Sequence, residues 1–373
     1  MHVAVGALLG AVVGELMLGR QLGRRALGWG ALFGLLPDLD ALPCLLMNEA
    51  WDLRIHHGLT HSILITLLLG WLLAKPLAKR WKKDKVAPRQ AGLFVATVWA
   101  SHVLVEVFTL RGVRIFDPFW GLPVSTGNLS VLDPVFAIPL LVAVIMAFFV
   151  KPKEWKKGKG RRSAWWCLGI SSFYIGLSFW AQYAVGKGVT ADLARRGVAA
   201  SQRMESPTPF NILLWRVMVE RPGEIWIGYR SITDSPELPV RWVVLPKGEQ
   251  AMAKFKDEWE PKVVREFSKG WWIAREAPGG LWLADLRYAE GRTWDERGMA
   301  IRPGLAWTFN AAADSNRLHQ KTPEARDAAE MLRRMARRVG GEVEALDPVP
   351  AGNKPTRLIG NPGNLQEYLE KQP

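Results

Sequence analysis

The chain has 373 residues, 49% of them apolar and 23% charged, and a formal net charge of +14. Residues 1–186 carry 20 Lys and Arg against only 10 acids, whereas residues 187–373 carry 29 against 25. Long apolar runs separated by basic clusters exclude a simple soluble enzyme, a disordered chain and a disulfide scaffold. The first half holds six apolar runs, over about 3–19, 26–47, 58–78, 91–111, 131–150 and 163–185. Each reads as a bilayer-spanning helix, since roughly 20 residues at 1.5 Å rise cross the hydrocarbon. The first lacks a basic n-region, because Met1-His2 opens straight into the apolar run, so it reads as a retained helix rather than a signal peptide. Gly6, Gly10 and Gly14 stand four apart on it, a spacing that lets a second helix approach closely. Cys44 and Cys167 both lie in apolar runs and read as inert core residues.

Seventeen of the 20 basic residues in this half fall in alternate loops, at 20–25, 75–89 and 151–162. Only Arg54, Arg111 and Arg114 fall elsewhere. With the basic loops inside, both termini lie outside a bacterial inner membrane. The strict alternation makes these clusters topology signals, and no nucleic-acid partner is expected.

From residue 187 the pattern changes. The stretch 188–204 reads as an amphipathic helix leaving the membrane, broken by the Ser206-Pro207-Thr208-Pro209 segment. Short β-rich runs follow at 212–220, 224–232, 240–245, 271–276, 281–287 and 305–311, with helical stretches near 250–269 and 323–338. The fold expectation is therefore an all-α polytopic bundle of about six helices over 1–186, then a small soluble α+β domain over 187–345, largely antiparallel. Residues 346–373 read as a flexible tail.

Five of six histidines and several scarce acids sit in the membrane half, in the stretches 1–6, 37–40, 56–62 and 101–106. At 1.5 Å per residue from the inner side, Asp38, Asp40, His102 and Glu106 stand about 16–22 Å up their helices. His2 and His61 begin helices that enter from outside, so all candidates converge on the outer half of the membrane. His102 and Glu106 are four apart and share a helix face, as do His57 and His61. Pro37 ends or kinks helix two just before the aspartates. A charge in hydrocarbon costs several kcal/mol unless it is paired or bound to a cation. A divalent metal satisfies such carboxylates together, and imidazole with carboxylate suits it. The candidate ligands are His2, Asp38, Asp40, His56, His61, His102 and Glu106, enough for one or more ions. Glu15 reads as structural, Asp117 and Asp133 as turn or cap residues before prolines, and His319 as surface.

These motifs resemble the YdjM-like family of inner-membrane metal-dependent hydrolases. That family has an N-terminal His before a Gly, then Pro-Asp-x-Asp, His-Arg-Gly-x-Thr-His-Ser, His-x-x-x-Asp and Thr-x-x-Gly. Here they correspond to His2 with Gly6, Pro37 to Asp40, His56 to Ser62, His102 with Glu106, and Thr109 with Gly112, within residues 1–150. His57 stands where the family usually has Arg, and Glu106 where it usually has Asp. The ligand order is also similar, more loosely, to zinc-dependent phospholipase C and related zinc nucleases.

The resemblance implies a hydrolase with a divalent metal, zinc by the second likeness, acting on a phosphoester or lipid-linked substrate at the outer membrane face through a metal-activated water. Asp38, Asp40 and Glu106 are the expected catalytic carboxylates, and His57, Arg111 and Arg114 the expected phosphate-binding residues. An ion-coupled transporter, or a receptor or scaffold with a structural metal, uses the same groups. Against transport, no internal repeat is visible and the polar residues gather on one side.

Overall fold

The computed structural model describes residues 2–44, 46–130, 133–295, 298–313, 317–321 and 328–347. The described residues within 1–46, 55–179 and 209–211 form one compact unit, and those within 47–54, 180–208 and 212–373 form another.

The first unit is helical. α1 (His2–Leu22) and α2 (Arg25–Leu35) run antiparallel, joined at Gly23 with φ of 60°. A Cβ on Gly10 would lie 2.3 Å from the Gly30 carbonyl oxygen, and one on Gly34 would lie 2.3 Å from that of Gly6. The four-residue glycine spacing of α1 thus meets an equal spacing on α2, and the two backbones touch.

The second expected span does not continue to residue 47 as one helix. α2 ends at Leu35, and Leu36–Asp40 form a 3-10 turn before the short α3 (Ala41–Cys44). Pro37 lies at the start of that turn, where its missing N–H breaks the α-helical ladder. After α4 (Glu49–Ile55), which belongs to the second unit up to Arg54, comes α5 (Ile63–Arg80), whose cap Ser62 accepts a hydrogen bond from Ile65 N. α6 (Pro88–Val107) crosses α5 at Gly70 and Gly92, where a Cβ on Gly92 would lie 2.7 Å from the Gly70 oxygen. Asp133 caps α7 (Pro134–Phe148), accepting from Val135 N. α8 (Pro152–Lys156) and the 37-residue α9 (Lys159–Arg195) complete the helices of this part of the chain. Glu15 is fully buried against Gly160 and forms no ion pair among the described residues.

Among the described residues, two helical stretches are long and apolar enough to cross a membrane, Ala4–Leu22 and Pro88–Val107. A third joins them if Glu49–His61 and Ile63–Arg80, bent by 52°, count as one span, and Pro134–Phe148 is a shorter apolar helix.

The second unit carries the sheets. The helix expected over 188–204 stops at Arg195, because Gly197 turns left-handed with φ of 63° and Gln202 already begins a strand. β1 (Gln202–Pro207), β2 (Leu214–Arg221), β3 (Glu224–Ser231) and β4 (Val243–Pro246) form one antiparallel sheet in chain order. After α10 (Glu249–Ala253) and α11 (Trp259–Phe267), β5 (Trp272–Ala277), β6 (Gly280–Asp295), β7 (Gly298–Asn310) and β8 (Leu318–Lys321) form a second. Strand alternation divides the core. Ile273, Ala284 and Leu286 pack on Met218, Ile225 and Ile227 of the first sheet, while Trp272, Leu281 and Leu283 pack on Met252 and Val264 of the two helices. α12 (Ala328–Val339) buries Met331 and Met335, one turn apart, with Leu214, Tyr229 and Leu346. Leu346 and Asp347, the latter paired with Arg241, belong to the folded domain. Residues 348–373, read as a loose tail, lie outside the described residues.

The β6–β7 register shifts between Asp285 and Glu290. That irregularity turns Glu290 inward, where Arg216 Nη2 donates at 2.7 Å, Arg292 Nε at 2.7 Å and the Tyr229 hydroxyl at 2.9 Å. Burial alone pushes the Glu290 carboxyl up, but the Arg216 and Arg292 guanidiniums outweigh it and hold it down at about 2.

Candidate metal centre

Two breaks in helical structure and one helix assemble the site: the 3-10 turn after α2, the loop before α5, and the last turns of α6. In a 3-10 turn successive side chains are about 120° apart, so Asp38 and Asp40 diverge. Asp38 Oδ1 faces His61 Nε2 at 3.5 Å and His102 Nε2 at 3.4 Å. Asp40 faces the histidine loop instead. Its Oδ1 lies 2.6 Å from His56 Nδ1, and its Oδ2 accepts from His57 N at 3.0 Å and from the Thr60 hydroxyl at 2.7 Å.

The loop folds back on itself at His57, whose φ of 63° is left-handed. Gly58 follows because the Arg114 guanidinium takes the side-chain space: a Cβ there would lie 2.2 Å from Arg114 Nη2. Arg114 Nη2 donates to the Ile55 carbonyl at 3.2 Å, its Nε to Asp117 at 3.1 Å, and its backbone N to the His57 carbonyl at 3.1 Å. Trp99 Nε1 donates to the Thr60 carbonyl at 2.8 Å.

Helix α6 presents Glu106 one turn beyond His102. Glu106 Oε2 lies 3.1 Å from His61 Nε2 and 3.2 Å from His57 Nδ1, and Oε1 lies 3.5 Å from His102 Nε2. The His57 and His61 rings stack at 4.8 Å, and the His102 ring is 5.5 Å from that of His61. Behind His102 stands Gly6: a Cβ there would lie 2.4 Å from His102 Nδ1.

Proton bookkeeping shows what this arrangement can do. The single Thr60 hydroxyl hydrogen goes to Asp40, so the Thr60 oxygen, 2.9 Å from His61 Nδ1, accepts from His61 Nδ1–H. That tautomer leaves a lone pair on His61 Nε2, the orientation in which an imidazole ligates a metal. His61 Nε2, His102 Nε2 and all four oxygens of Asp38 and Glu106 make no hydrogen bond among the described residues, although each is buried. Acceptors buried against acceptors cost several kcal/mol, and a cation satisfies them. Asp38, His57, His61 and Glu106 offer ligand atoms all within 4.8 Å of one another, a group that could hold a metal ion.

The structure therefore brings together Asp38, Asp40, His56, His57, His61, His102 and Glu106. It redistributes their positions relative to the sequence expectation. His57, expected to bind phosphate, joins the ligand group, because the left-handed turn points its ring inward beside His61. Asp40 and His56, expected as ligands, pair with each other at the edge, because Asp40 has both oxygens occupied. Arg114, expected at a phosphate, holds the loop, and Arg111 sits half-buried in the turn after α6. The His2 side chain lies outside the described residues. Thr60 was not among the expected site residues. Its signal was a hydroxyl directly preceding a ligand histidine in the stretch 56–62.

No curated protein and no solved structure matches this chain. Residues 1–185 match the family model described as the YdjM inner membrane protein. Those residues contain every element of the buried His–carboxylate group, and the family's location is the inner membrane. Over residues 1–185, the chain belongs to the YdjM inner membrane protein family.

Proposed function

We propose that the chain is an integral-membrane, metal-dependent hydrolase acting on a phosphoester or lipid-linked substrate at the outer face of the inner membrane. The observation that carries the reading is the buried set Asp38, His61, His102 and Glu106, whose facing nitrogens and oxygens make no hydrogen bond with one another. With His57 they would hold a divalent metal, zinc best matching mixed imidazole and carboxylate. When bound, such an ion acidifies a water toward a pKa of about 7 and acts as a Lewis acid on a phosphoryl oxygen.

The chain's own residues do the rest. Thr60 and Asp40 keep the His61 lone pair on Nε2. Asp40 Oδ1 accepts from His56 Nδ1–H, which leaves His56 Nε2 to take and return a proton at the rim of the site. Arg111, near enough for its charge to act on His57, supplies positive charge for the substrate phosphate. In this reading six helices span the membrane, the basic loops face inward, and both termini and the sheet domain face outward.

The test is the metal content of the purified, detergent-solubilised full chain by mass spectrometry, beside an Asp38→Ala/His102→Ala double variant. One or more zinc ions per chain, lost in the variant, together with hydrolysis of bis(p-nitrophenyl) phosphate, are expected. Folded protein that holds no metal overturns the reading. So does a His102→Ala variant that keeps both full metal content and activity.

A further inference from the structure

A groove of about 510 Å³ runs between α5 and α6 on the surface of the helical unit. A Cβ on Gly70 would lie 2.9 Å from both the Gly92 oxygen and the Ala96 Cβ, and one on Gly92 would lie 3.1 Å from the Ala74 Cβ. The two backbones therefore touch, and the floor of the groove is made of small residues. Gly70 meets Ala96 and Ala74 meets Gly92, so the helices run antiparallel and bring Lys75 and Arg89 to the same end of the groove. Leu67, Trp71 and Lys75 follow one another at four-residue spacing and share one face of α5, as Arg89 and Leu93 do on α6. All five line the groove and are exposed, Trp71 by 74%. Neither the Lys75 nor the Arg89 side chain has a hydrogen bond or ion pair among the described residues. Asp84, the one acid between Ser62 and Val105, pairs with Arg25 instead.

The groove is thus apolar along most of its length and doubly cationic at one end. From Leu67 to Lys75 it extends about 12 Å, close to the roughly 15 Å of hydrocarbon in one leaflet. Its volume lies within the range of about 300–1,000 Å³ that ligand sites occupy. Arg89 stands in the first turn of α6, where unpaired backbone N–H groups add positive charge. The ligand that suits both ends carries an anionic head and a hydrocarbon chain. A second copy of the chain suits it less well. A two-fold axis along the membrane normal keeps each residue at its own depth, so Lys75 and Arg89 would face their own copies and repel. We propose that this groove binds one anionic glycerophospholipid from the leaflet beside the basic loops. Its phosphate lies between Lys75 and Arg89, and one acyl chain lies over Gly70 and Gly92 against Trp71 and Leu93. The proposal rests on the membrane location of the chain and not on the metal-centre reading.

The experiment uses the full chain in phosphatidylcholine nanodiscs. The probes are phosphatidylglycerol and phosphatidylcholine, each bearing the same diazirine on one acyl chain. Illumination and peptide mass spectrometry locate the crosslinks. Phosphatidylglycerol is expected to label Leu67, Trp71, Leu93 and Ala96 on the order of tenfold more than phosphatidylcholine does, as two basic groups at a lipid surface imply. On the exposed residues Ile138 and Ile145 of α7 the two probes are expected to label alike. The Lys75→Gln/Arg89→Gln double variant loses the preference in the groove, and the charge-preserving Lys75→Arg/Arg89→Lys variant keeps it. Equal labelling of the groove by the two probes in the wild type overturns the proposal. So does a phosphatidylglycerol preference as strong on α7 as in the groove, since that marks only general attraction to a cationic protein. A Trp71→Cys chain that readily forms a disulfide with its own copy in isolated membranes also overturns it, by showing that a second copy covers the groove. The comparison of the two probes on the wild type needs no substitution, so a misfolded variant does not decide the outcome.

Discussion

Thr60 shows how a residue outside the ligand set governs it. Its one hydroxyl hydrogen, given to Asp40, determines which His61 nitrogen is free. Removing such an outer partner typically lowers metal affinity about 10–100-fold. Thr60→Val is therefore expected to bind zinc that much more weakly, measured by competition with a chelator of known affinity. Unchanged affinity would show that His61 is oriented without it. In the sheet domain Glu290 plays a comparable single-residue part. Its folded pKa of about 2 lies below the 4.5 of an ordinary glutamate in the unfolded chain, so its stabilisation is present above pH 4.5. That contribution, on the order of 3 kcal/mol, is lost as pH falls from 4.5 toward 2. Glu290→Gln is expected to cost about 3–5 kcal/mol at neutral pH, because two guanidiniums lose their buried partner. It should also flatten the acid limb. Thermal unfolding of the wild type and the variant between pH 2 and 7 checks both statements.

At the scale of elements, glycine decides how close α1 comes to α2. The expected outcome is a contrast within one helix. Gly30→Ala places a Cβ 2.1 Å from the Gly10 oxygen and must push the pair apart, at about 1–3 kcal/mol for overpacking. Gly28→Ala meets nothing within 4 Å and gains up to about 1 kcal/mol of helix propensity. Thermal stability in detergent, falling for the first and holding or rising for the second, is the measurement. Gly6→Ala is expected to lower zinc occupancy as well, since its Cβ meets His102 Nδ1 at 2.4 Å. Part of this was legible in the sequence. The spacing of Gly6, Gly10 and Gly14 announced a close neighbour, and the four-residue spacing of His102 and Glu106 placed both on one face. The end of α9 was not legible, because apolar and polar residues continue a helical pattern past Gly197. Only the left-handed backbone there ends it.

For the whole molecule, the distribution of charge makes a statement about orientation that cysteine labelling reads directly. Both native cysteines are buried, which leaves the surface clear for introduced thiols. In intact spheroplasts, a membrane-impermeant maleimide is expected to label Gly121→Cys and Arg333→Cys. Lys83→Cys is expected to react only after lysis. Labelling of position 83 from outside would reverse the topology and with it the proposed outer-face site. The antiparallel order of the two sheets was readable, because apolar and polar residues alternate in runs bounded by turns. The length of β6 and β7 was not, since the register shift between Asp285 and Glu290 interrupts that alternation.

The sequence by itself determined that this half of the chain is apolar helix, that its scarce acids and histidines gather in four short stretches, and that an antiparallel sheet domain follows. Those properties are local: hydropathy, spacing along one helix, and the chemistry of proline and glycine depend on near neighbours. Which groups face the centre was decided only by tertiary structure. Asp38 and Asp40 are two residues apart, and His56 and His57 only one. Yet Asp38 and His57 turn inward while Asp40 and His56 pair at the edge. A 3-10 turn and one left-handed residue make that division, and both are held by Arg114, Thr60 and Trp99 across the fold. Periodicity finds the pair on α6, His102 and Glu106, but not the groups that join it from the 3-10 turn and the histidine loop, where regular structure stops.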